Sequence, residues 1–348
     1  MTDTFDWGSV LAPLVRREDL SAAQVAGALA TVLAGNATDA QIAAFSVALR
    51  AKGETPAELS ALVRTMLDFA ERVELPAGSP VLDTCGTGGD RSGTVNVSTA
   101  AALVAAGAGI RVAKHGNRAA SSKCGSADVL EALGVVIDLG PAGVAQSIER
   151  AGIGFCFAPR FHPALRFAAN ARREIGVPTT FNFLGPLANP AGAACRTVGV
   201  SDPSMAERVV GALRELGVER ALVFFGHDGL DELTTTTTST VYDLHHGEVR
   251  TYDVEPSSLG LAVAAPAALV GGDSATNADH VHRVLAGTPG PVRDIVVLNA
   301  SAALVAAGAV DDLAAGVDFA ATVIDDGRAA TALETFVHVT TELRAGGE

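Results

Sequence analysis

The chain has 348 residues, nearly half of them apolar, which suits one large domain and a smaller one. With 25 basic and 39 acidic residues its formal net charge is −14, which disfavours a nucleic-acid binder because such proteins usually present a basic face. Four scattered cysteines without a CxxC pair disfavour zinc and dithiol chemistry and predict a reducing, cytoplasmic setting. We expect neither a signal peptide nor a membrane span, since the N-terminus lacks a basic and apolar leader and the apolar runs are short.

The first 75 residues show helical periodicity throughout. Capping boxes, in which a hydroxyl accepts from the third helical N–H while an amide or carboxylate reaches back, predict helix starts at Ser21, Thr38 and Thr55. Pro56, at a first helical position, strengthens the third. We therefore predict a small helical domain over residues 1–75, which packs on the rest of the chain and contributes to oligomerisation.

From about Gly78 short apolar runs alternate with helical stretches. The predicted strands are Val81–Leu82, Ile110–Ala113, Val135–Ile137, Phe155–Phe157, Thr197–Val200 and Ala221–Phe225, and the predicted helices are 99–107, 127–133 and 203–216. This alternation is typical of an α/β fold, in which helices cover a central, mostly parallel sheet. We assign it to residues 76–161 and 191–348.

The segment from about residue 162 to 190 interrupts the alternation, with a helix from His162 to Ile175 and then a loop with a helical turn, and we expect it to return to the helical domain. The threonine-rich run from Thr234 to Val241 predicts a strand, because β-branched residues favour strands. A hairpin is expected around residues 246–247. The tail from Ala278 reads as helical, apart from a strand-like run at Ile295–Leu298.

A glycine-rich stretch follows the first predicted strand. Three glycines fall within four residues, at Gly86, Gly88 and Gly89, and Asp90 comes next. A polar run and then a helix follow, so bare backbone N–H groups and a helix N-terminus meet at one point. Unpaired donors and the helix dipole favour anions there, which predicts a phosphate site rather than a simple tight turn.

A second polar loop, from Lys114 to Ser126, follows the strand Ile110–Ala113 and should emerge at the same sheet edge. It offers cations, hydroxyls and an amide, which suit a bound anion better than a solvated basic loop would in an acidic protein. Ser126 reads as the N-cap of the following helix.

Two adjacent carboxylates, Asp231 and Glu232, follow the strand Ala221–Phe225. Next to two anion-binding loops, they favour a Mg²⁺ site over an exposed acidic turn, because Mg²⁺ takes one or two carboxylates with water and phosphate oxygens. Arg172 and Arg173 could pair with a carboxylate substrate or simply lie on a surface helix. The P-loop and GxGxxG patterns are absent, and Cys85 and Cys124 lack an evident base, so we expect them to be spectators.

Five motifs in order along the chain resemble the anthranilate phosphoribosyltransferase family of tryptophan biosynthesis. They are Asp83–Asp90, Asn96–Thr99, Lys114–Ser122, Phe181–Pro190 and Asp228–Thr234. The resemblance covers nearly the whole chain, and it implies a small helical domain that forms a homodimer and a larger α/β domain. It also implies two substrates, anthranilate and 5-phosphoribosyl 1-pyrophosphate, with Mg²⁺ between the domains.

Carried over by motif, the site residues fall into three groups. The sugar pyrophosphate would contact Gly86, Gly89, Asp90, Thr94, Asn96, Val97, Ser98, Thr99, Lys114, His115, Gly116, Asn117, Arg118, Ala119, Ala120, Ser121, Ser122 and Ser126. Mg²⁺ would contact Ser98, Asp231 and Glu232, and anthranilate would contact Gly86, Asn117, Arg172 and His162. His115 and the turn ending at His162 would line its entry path. No residue would act as a catalytic nucleophile or base, because positioning and electrostatics would suffice.

Two residues depart from the pattern expected for the family: Cys124 stands where serine or glycine is commoner, and Leu165 where methionine is expected. Two alternatives share the scaffold. A pyrimidine nucleoside phosphorylase would use free phosphate, but the Asp231–Glu232 pair and the Phe181–Pro190 motif favour the transferase. A nucleic-acid-binding relative would need a basic groove, which the net charge of −14 disfavours.

Overall fold

The N-terminal part of the chain is helical in the computed structural model, which describes residues 5–76, 78, 80–90, 92–119 and 123–347. Its helices are α1 (Gly8–Val15), α2 (Ala22–Leu33), α3 (Asp39–Lys52) and α4 (Pro56–Asp68). All three predicted capping boxes form, because the hydroxyls of Ser21, Thr38 and Thr55 accept from the third backbone N–H at 3.1–3.3 Å. The side chain of that third residue bonds back to the cap each time. The predicted helix starts are thus confirmed.

A seven-stranded sheet forms the centre of the larger unit. Its strands are β1 (Leu82–Gly86), β2 (Val112–Gly116), β3 (Ile153–Phe157), β4 (Cys195–Gly199), β5 (Arg220–Gly226), β6 (Ser239–His245) and β7 (Glu248–Val254). They lie in the order β3-β2-β1-β4-β5-β6-β7, with the first five parallel and the predicted β6–β7 hairpin antiparallel. The strand order reverses between β1 and β4, which is where ligands of open α/β sheets bind.

The helices after the N-terminal four are α5 (Val97–Gly107), α6 (Ser126–Ala132), α7 (Pro141–Ala151), α8 (Ala158–Phe161), α9 (Arg166–Ile175), α10 (Phe181–Leu184), α11 (Pro203–Glu215), α12 (Ser274–Leu285), α13 (Pro291–Ala306), α14 (Leu313–Asp325) and α15 (Arg328–Ala345). Helices such as α5 and α11 pack on opposite faces of the sheet. The predicted α/β fold with a small helical unit is confirmed. Among the described helices, none combines the length and apolar character needed to cross a bilayer.

Alternate residues of β5 face two different hydrophobic cores. Leu222 and Phe224 pack with α5 and α13, whereas Ala221 and Val223 pack with α11 and the N-terminal helices. This alternation follows from the two-residue period of a strand. Helix α9 packs against α2 and α3. The domain boundary near residue 75 and the assignment of 162–190 to the helical domain stay predictions.

Two predicted strands are wrong, and a third is wrong over its first five residues. Residues 135–137 are irregular, and the Val135 N–H instead donates to the Leu130 carbonyl at the end of α6. Residues 234–238 are also irregular, whereas residues 239–241 of the same predicted strand lie in β6. Residues 295–298 lie inside α13, where all four side chains are buried, so a helix surrounded by core shows no helical period.

Candidate active site

The carboxyl ends of β1 and β4 form the floor of the candidate site. Gly86 and Gly199 pair across these strands, and the backbone of Asp231 passes directly over them. A Cβ atom on Gly199 would collide with the Asp231 carbonyl oxygen, and one on Gly86 with the Asp231 carboxylate. Both positions therefore require glycine, because the turn after β5 crosses the strand ends there.

The predicted glycine loop lies beside this crossing. Gly88 and Gly89 have φ angles of 65° and 83°, which glycine adopts readily. The Gly88 N–H donates to the Asp231 carboxylate at 2.7 Å, and the Gly88 carbonyl accepts from the Ser201 hydroxyl at 2.8 Å. The loop is thus held from both sides, by the acidic turn after β5 and by the segment after β4.

Three carboxylates come together above the strand ends. Burial, reinforced by the nearby Asp90 carboxylate, raises the pKa of Asp231 to about 7. Burial and then the Asp231 charge raise the pKa of Glu232 well above its usual range. Glu232 accepts the Ser98 N–H at 3.2 Å, so the acidic pair meets the first turn of α5. Burial and mutual repulsion disfavour the charged forms of Asp231 and Glu232, and a cation bound beside them would favour those charged forms.

Asn299, on α13, holds the acidic turn in place, and the sequence analysis missed it. Its side-chain oxygen accepts the Leu233 N–H at 3.0 Å, and its amide donates to the Leu233 carbonyl at 2.8 Å. Asn299 is 3% exposed, so these bonds are shielded from water. The only signal in the sequence is an amide inside an otherwise apolar run.

The threonine run also supports this turn. Hydroxyls of Thr234 and Thr236 donate to the Asp228 carboxylate, the first at 2.7 Å. The run is therefore irregular because its side chains bond to the loop that carries Asp231.

Lys114 lies inside strand β2 and not in the loop after it. The strand was predicted over Ile110–Ala113, whereas β2 spans Val112–Gly116. Its ammonium donates to the Thr84 carbonyl at 2.5 Å and lies 3.4 Å from the Ser98 hydroxyl. Burial lowers the pKa of Lys114, and the carboxylates of Asp83 and Glu232 offset part of this shift. The cation therefore sits beside the start of α5, next to the acidic pair.

At the N-terminus of α5, Asn96 does not cap the helix with its side chain, because its amide group is bonded to Asn277 and to the Cys124 carbonyl. Just before it, Thr94 pairs with Val270 in an isolated bridge. The polar run after the glycine loop is thus fixed against the segment before α12.

The second predicted loop is folded on itself. Arg118 donates to Asp128 and Glu131 at 3.0 Å, so its charge is compensated locally. Asp128 also accepts the N–H groups of Ala119 and Gly125. The N-cap of α6 is therefore Gly125, and the prediction for Ser126 is wrong. The Ser126 hydroxyl donates instead to the Asn117 carbonyl. The predicted contacts Ala120, Ser121 and Ser122 lie outside the described residues.

Arg172 lies on α9, after a single 3-10 turn that replaces the start of the longer helix predicted there. Its guanidinium stacks 5.5 Å from the Phe181 ring centre, and burial lowers its pKa. In the described part of the chain no hydrogen bond or ion pair satisfies this cation. A half-buried arginine without a carboxylate partner is suited to an anionic ligand.

His115 and His162 form a buried pair with ring centres 5.1 Å apart. His115 Nδ1 bonds the Gly185 carbonyl at 2.9 Å and His162 Nε2 the Ala188 carbonyl at 3.0 Å, so both must donate there. Their other ring nitrogens have no partner among the described residues. Burial lowers the pKa of His115 to about 4 and that of His162 to about 3.

The described residues contain no cluster of three or more His, Cys, Asp or Glu side chains arranged to hold a metal ion alone. Two carboxylates beside an anion site still match Mg²⁺, which completes its coordination with water and phosphate oxygens. Burial raises the pKa of Cys124 to about 11 and that of Cys85 well above its usual range, so neither thiol is an activated nucleophile.

Both parts of the chain match domains of a known protein family. Residues 78–330 match the α/β domain of a glycosyl transferase family and residues 9–70 its helical bundle domain. An anthranilate phosphoribosyltransferase of a Nocardioides species is 55% identical over 96% of this chain and 98% of its own length. The Acidothermus cellulolyticus enzyme is 55% identical over 98% of this chain and 97% of its own length.

Solved structures of the same enzyme share the fold. That from Thermus thermophilus is 41% identical with a TM-score of 0.90, covering 96% of this chain and 99% of its own. That from Saccharomyces cerevisiae, in complex with PRPP and Mg, is 26% identical with a TM-score of 0.89, covering 97% of this chain and 98% of its own.

Proposed function

Because this chain belongs to the anthranilate phosphoribosyltransferase family, we propose that it transfers the phosphoribosyl group of 5-phosphoribosyl 1-pyrophosphate to the amine of anthranilate. The products are N-(5-phosphoribosyl)anthranilate and pyrophosphate, a step of tryptophan biosynthesis. The observation that carries the proposal is the acidic turn Asp231–Glu232, seated on the glycine loop beside Lys114.

The sugar pyrophosphate binds at the strand ends in this proposal. The glycine loop and the first turn of α5 supply backbone N–H groups, and Lys114 supplies a charge. The contact residues are those expected from the motifs, with Gly86, Gly89, Asp90, Thr94, Asn96, Val97, Ser98 and Thr99 on the first loop and helix, and Lys114 to Ala119 with Ser126 on the second. Arg118 contributes mainly through its backbone, because its side chain is paired with Asp128 and Glu131.

Asp231, Glu232 and Ser98 would hold Mg²⁺. Their fit rests on the contacts that bring both carboxylates to the glycine loop and the start of α5, from the Gly88 N–H to Asp231 at 2.7 Å and from the Ser98 N–H to Glu232 at 3.2 Å. A cation there would also relieve the repulsion that causes part of the pKa shift of each carboxyl. When bound by these residues, Mg²⁺ would supply positive charge beside the departing pyrophosphate. The described residues add Lys114 and backbone donors on the same side.

Anthranilate binds near Arg172, which would fix its carboxylate as a bidentate pair. Gly86, Asn117 and His162 complete this half-site, and the unpartnered nitrogens of His115 and His162 can accept hydrogen bonds along the entry path. The amine attacks ribose C1 as pyrophosphate leaves, with inversion. An aromatic amine is neutral at pH 7, so catalysis rests on positioning and electrostatics without a protein nucleophile.

The helical unit would form a homodimer. Apolar side chains exposed on it include Val15 at 79% and Val47 at 45%, and Phe167 of α9 is exposed at 38%. A cytoplasmic location, and the absence of nucleic-acid and membrane partners, stay predictions. Light scattering after gel filtration tests the dimer, and Val47→Asp should shift it towards monomer.

Two variants test the two half-sites separately. Lys114→Met should weaken calorimetric binding of the sugar pyrophosphate by about tenfold or more, since a charge-assisted contact is lost. Arg172→Ala should raise the KM for anthranilate by a similar factor of about tenfold, with little effect on the other substrate. Equal effects of Arg172→Ala on both substrates would contradict the carboxylate role. Phosphorolysis of thymidine by the wild type would favour a nucleoside phosphorylase instead.

A further inference from the structure

An ionic network centred on one buried carboxylate lies where α3 ends and α4 begins. Glu54 is 2% exposed, and one of its carboxylate oxygens lies 3.1 Å from Arg50 and 3.5 Å from Arg208 of α11. Its other oxygen accepts the hydroxyl of Thr180 at 2.5 Å. A buried carboxylate such as Glu54 is costly unless its partners keep good hydrogen-bond geometry. The side chains that pair with Glu54 are therefore held in fixed positions.

One end of this network leads to the proposed anthranilate half-site. Thr180 immediately precedes α10, whose first residue, Phe181, carries the ring on which Arg172 stacks. Arg50 also lies 5.0 Å over the ring centre of Phe183. The helical unit therefore holds α10 by a hydrogen bond and by a cation–π contact, and α10 in turn supports Arg172.

The other end leads to the glycine loop. Arg50 is ion-paired with Asp202, which caps α11. The preceding residue, Ser201, donates its hydroxyl to the Gly88 carbonyl at 2.8 Å, and its N–H to the Thr87 hydroxyl at 3.0 Å. The network thus reaches the proposed sugar-pyrophosphate half-site through the peptide bond between Asp202 and Ser201 and the two hydrogen bonds that Ser201 makes to the glycine loop.

We propose that Arg50 and Glu54 are positioning residues that set the two substrate half-sites in register with one another. Neither belongs to the proposed binding residues, and both act through Thr180 on one side and Asp202 on the other. Correct register matters because the amine must meet ribose C1 in line with the departing pyrophosphate. This inference rests on the proposed function.

Steady-state kinetics of variants at the two ends tests the inference. Thr180→Val removes the hydroxyl without changing size and should raise the KM for anthranilate about fivefold or more, leaving the KM for the sugar pyrophosphate within about twofold. Thr180→Ser should restore the wild-type value. The matched control is Thr65→Val, since the Thr65 hydroxyl is also buried but, among the residues that the structure describes, bonds only within its helix, to the Ala61 carbonyl at 2.9 Å. This control should leave both KM values unchanged.

A variant at the Asp202 end of the network should affect the KM for the sugar pyrophosphate and not that for anthranilate. Asp202→Asn keeps a good helix cap but loses the charge, so it should raise the KM for the sugar pyrophosphate selectively. Glu54→Gln should lower kcat about tenfold at saturation, because both half-sites lose register. Wild-type KM values in Thr180→Val and Asp202→Asn, or equal shifts for both substrates, would overturn the network. Absence of any anthranilate turnover by the wild type would overturn the proposed function and this inference together.

Discussion

Asn299→Leu should loosen the acidic turn without touching a substrate. The change removes the two bonds that satisfy the N–H and carbonyl of Leu233, which is fully buried. At about 2 kcal/mol for each buried backbone group left unsatisfied, the two groups cost about 4 kcal/mol, and the extra apolar surface of leucine offsets about 1–2 kcal/mol, so we expect a net loss of about 2–3 kcal/mol. Asp231 and Glu232 would then be less well positioned, and the Mg²⁺ concentration for half-maximal turnover should rise by about fivefold.

Urea unfolding and Mg²⁺ titration of turnover measure these two effects. Ser301→Ala is the matched control, because Ser301 is also buried on α13 but its hydroxyl, within the described part of the chain, bonds only to the Leu298 carbonyl of the same helix. It should change the free energy of unfolding by less than about 1 kcal/mol and leave the Mg²⁺ titration unaltered. An Asn299→Leu variant with the Mg²⁺ dependence of the wild type would refute the positioning role, whatever its stability.

Asp231→Asn with Glu232→Gln should lower Mg²⁺-dependent turnover by about 10²-fold or more, a loss of about 3 kcal/mol in transition-state stabilisation, and retained turnover would contradict the metal assignment. His115 and His162 should lower the free energy of unfolding as pH drops below 6.5, because burial holds both neutral with pKa values of about 4 and about 3. At pH 5 the unfolded state gains protons that the folded state refuses, so these two histidines together remove about 4 kcal/mol, whereas the buried carboxyls of Asp231 and Glu232, whose pKa values are raised, act in the opposite direction. His162→Gln should therefore lose less stability, or gain more, than the wild type between pH 6.5 and 5, and an identical pH dependence of the two proteins in urea titrations would contradict the assignment.

Local signals predicted the helical unit well. The capping boxes at Ser21, Thr38 and Thr55 are contained within four residues each, so their bonds can be inferred from spacing. The β6–β7 hairpin was also predicted, from a turn between two strand-like runs. Such features depend on neighbours along the chain.

Features set by tertiary packing were not predictable in the same way. The run 295–298 is apolar on every side because α13 is surrounded by other elements, so it resembles a buried strand. The threonines at 234–238 predict a strand by their β-propensity, but the hydroxyls of Thr234 and Thr236 bond to Asp228, and the segment is irregular. For Asn299, the partner is Leu233, 66 residues away, and nothing in the local sequence indicates it.

The candidate site was predicted as a set of motifs, but the relations between them come from the structure. The sequence placed Gly86 and Asp231 in separate motifs, whereas the structure shows that Gly86 lacks a side chain because Asp231 occupies that space. It predicted Arg118 as a contact of the sugar pyrophosphate, whereas the structure pairs its side chain with Asp128 and Glu131. These contacts depend on which strand ends lie side by side, which a spacing pattern does not specify.

The most direct test of the proposed activity follows the fluorescence of anthranilate in the presence of 5-phosphoribosyl 1-pyrophosphate and Mg²⁺. The wild type should consume anthranilate, measured as loss of its fluorescence, and release one pyrophosphate for each anthranilate consumed. A chelator of Mg²⁺ should stop both processes. The loss of anthranilate fluorescence should also require the sugar pyrophosphate, because a mixture of ribose and free phosphate carries no leaving group on ribose C1. Constant fluorescence with all three components present would contradict the assignment of this chain as an anthranilate phosphoribosyltransferase.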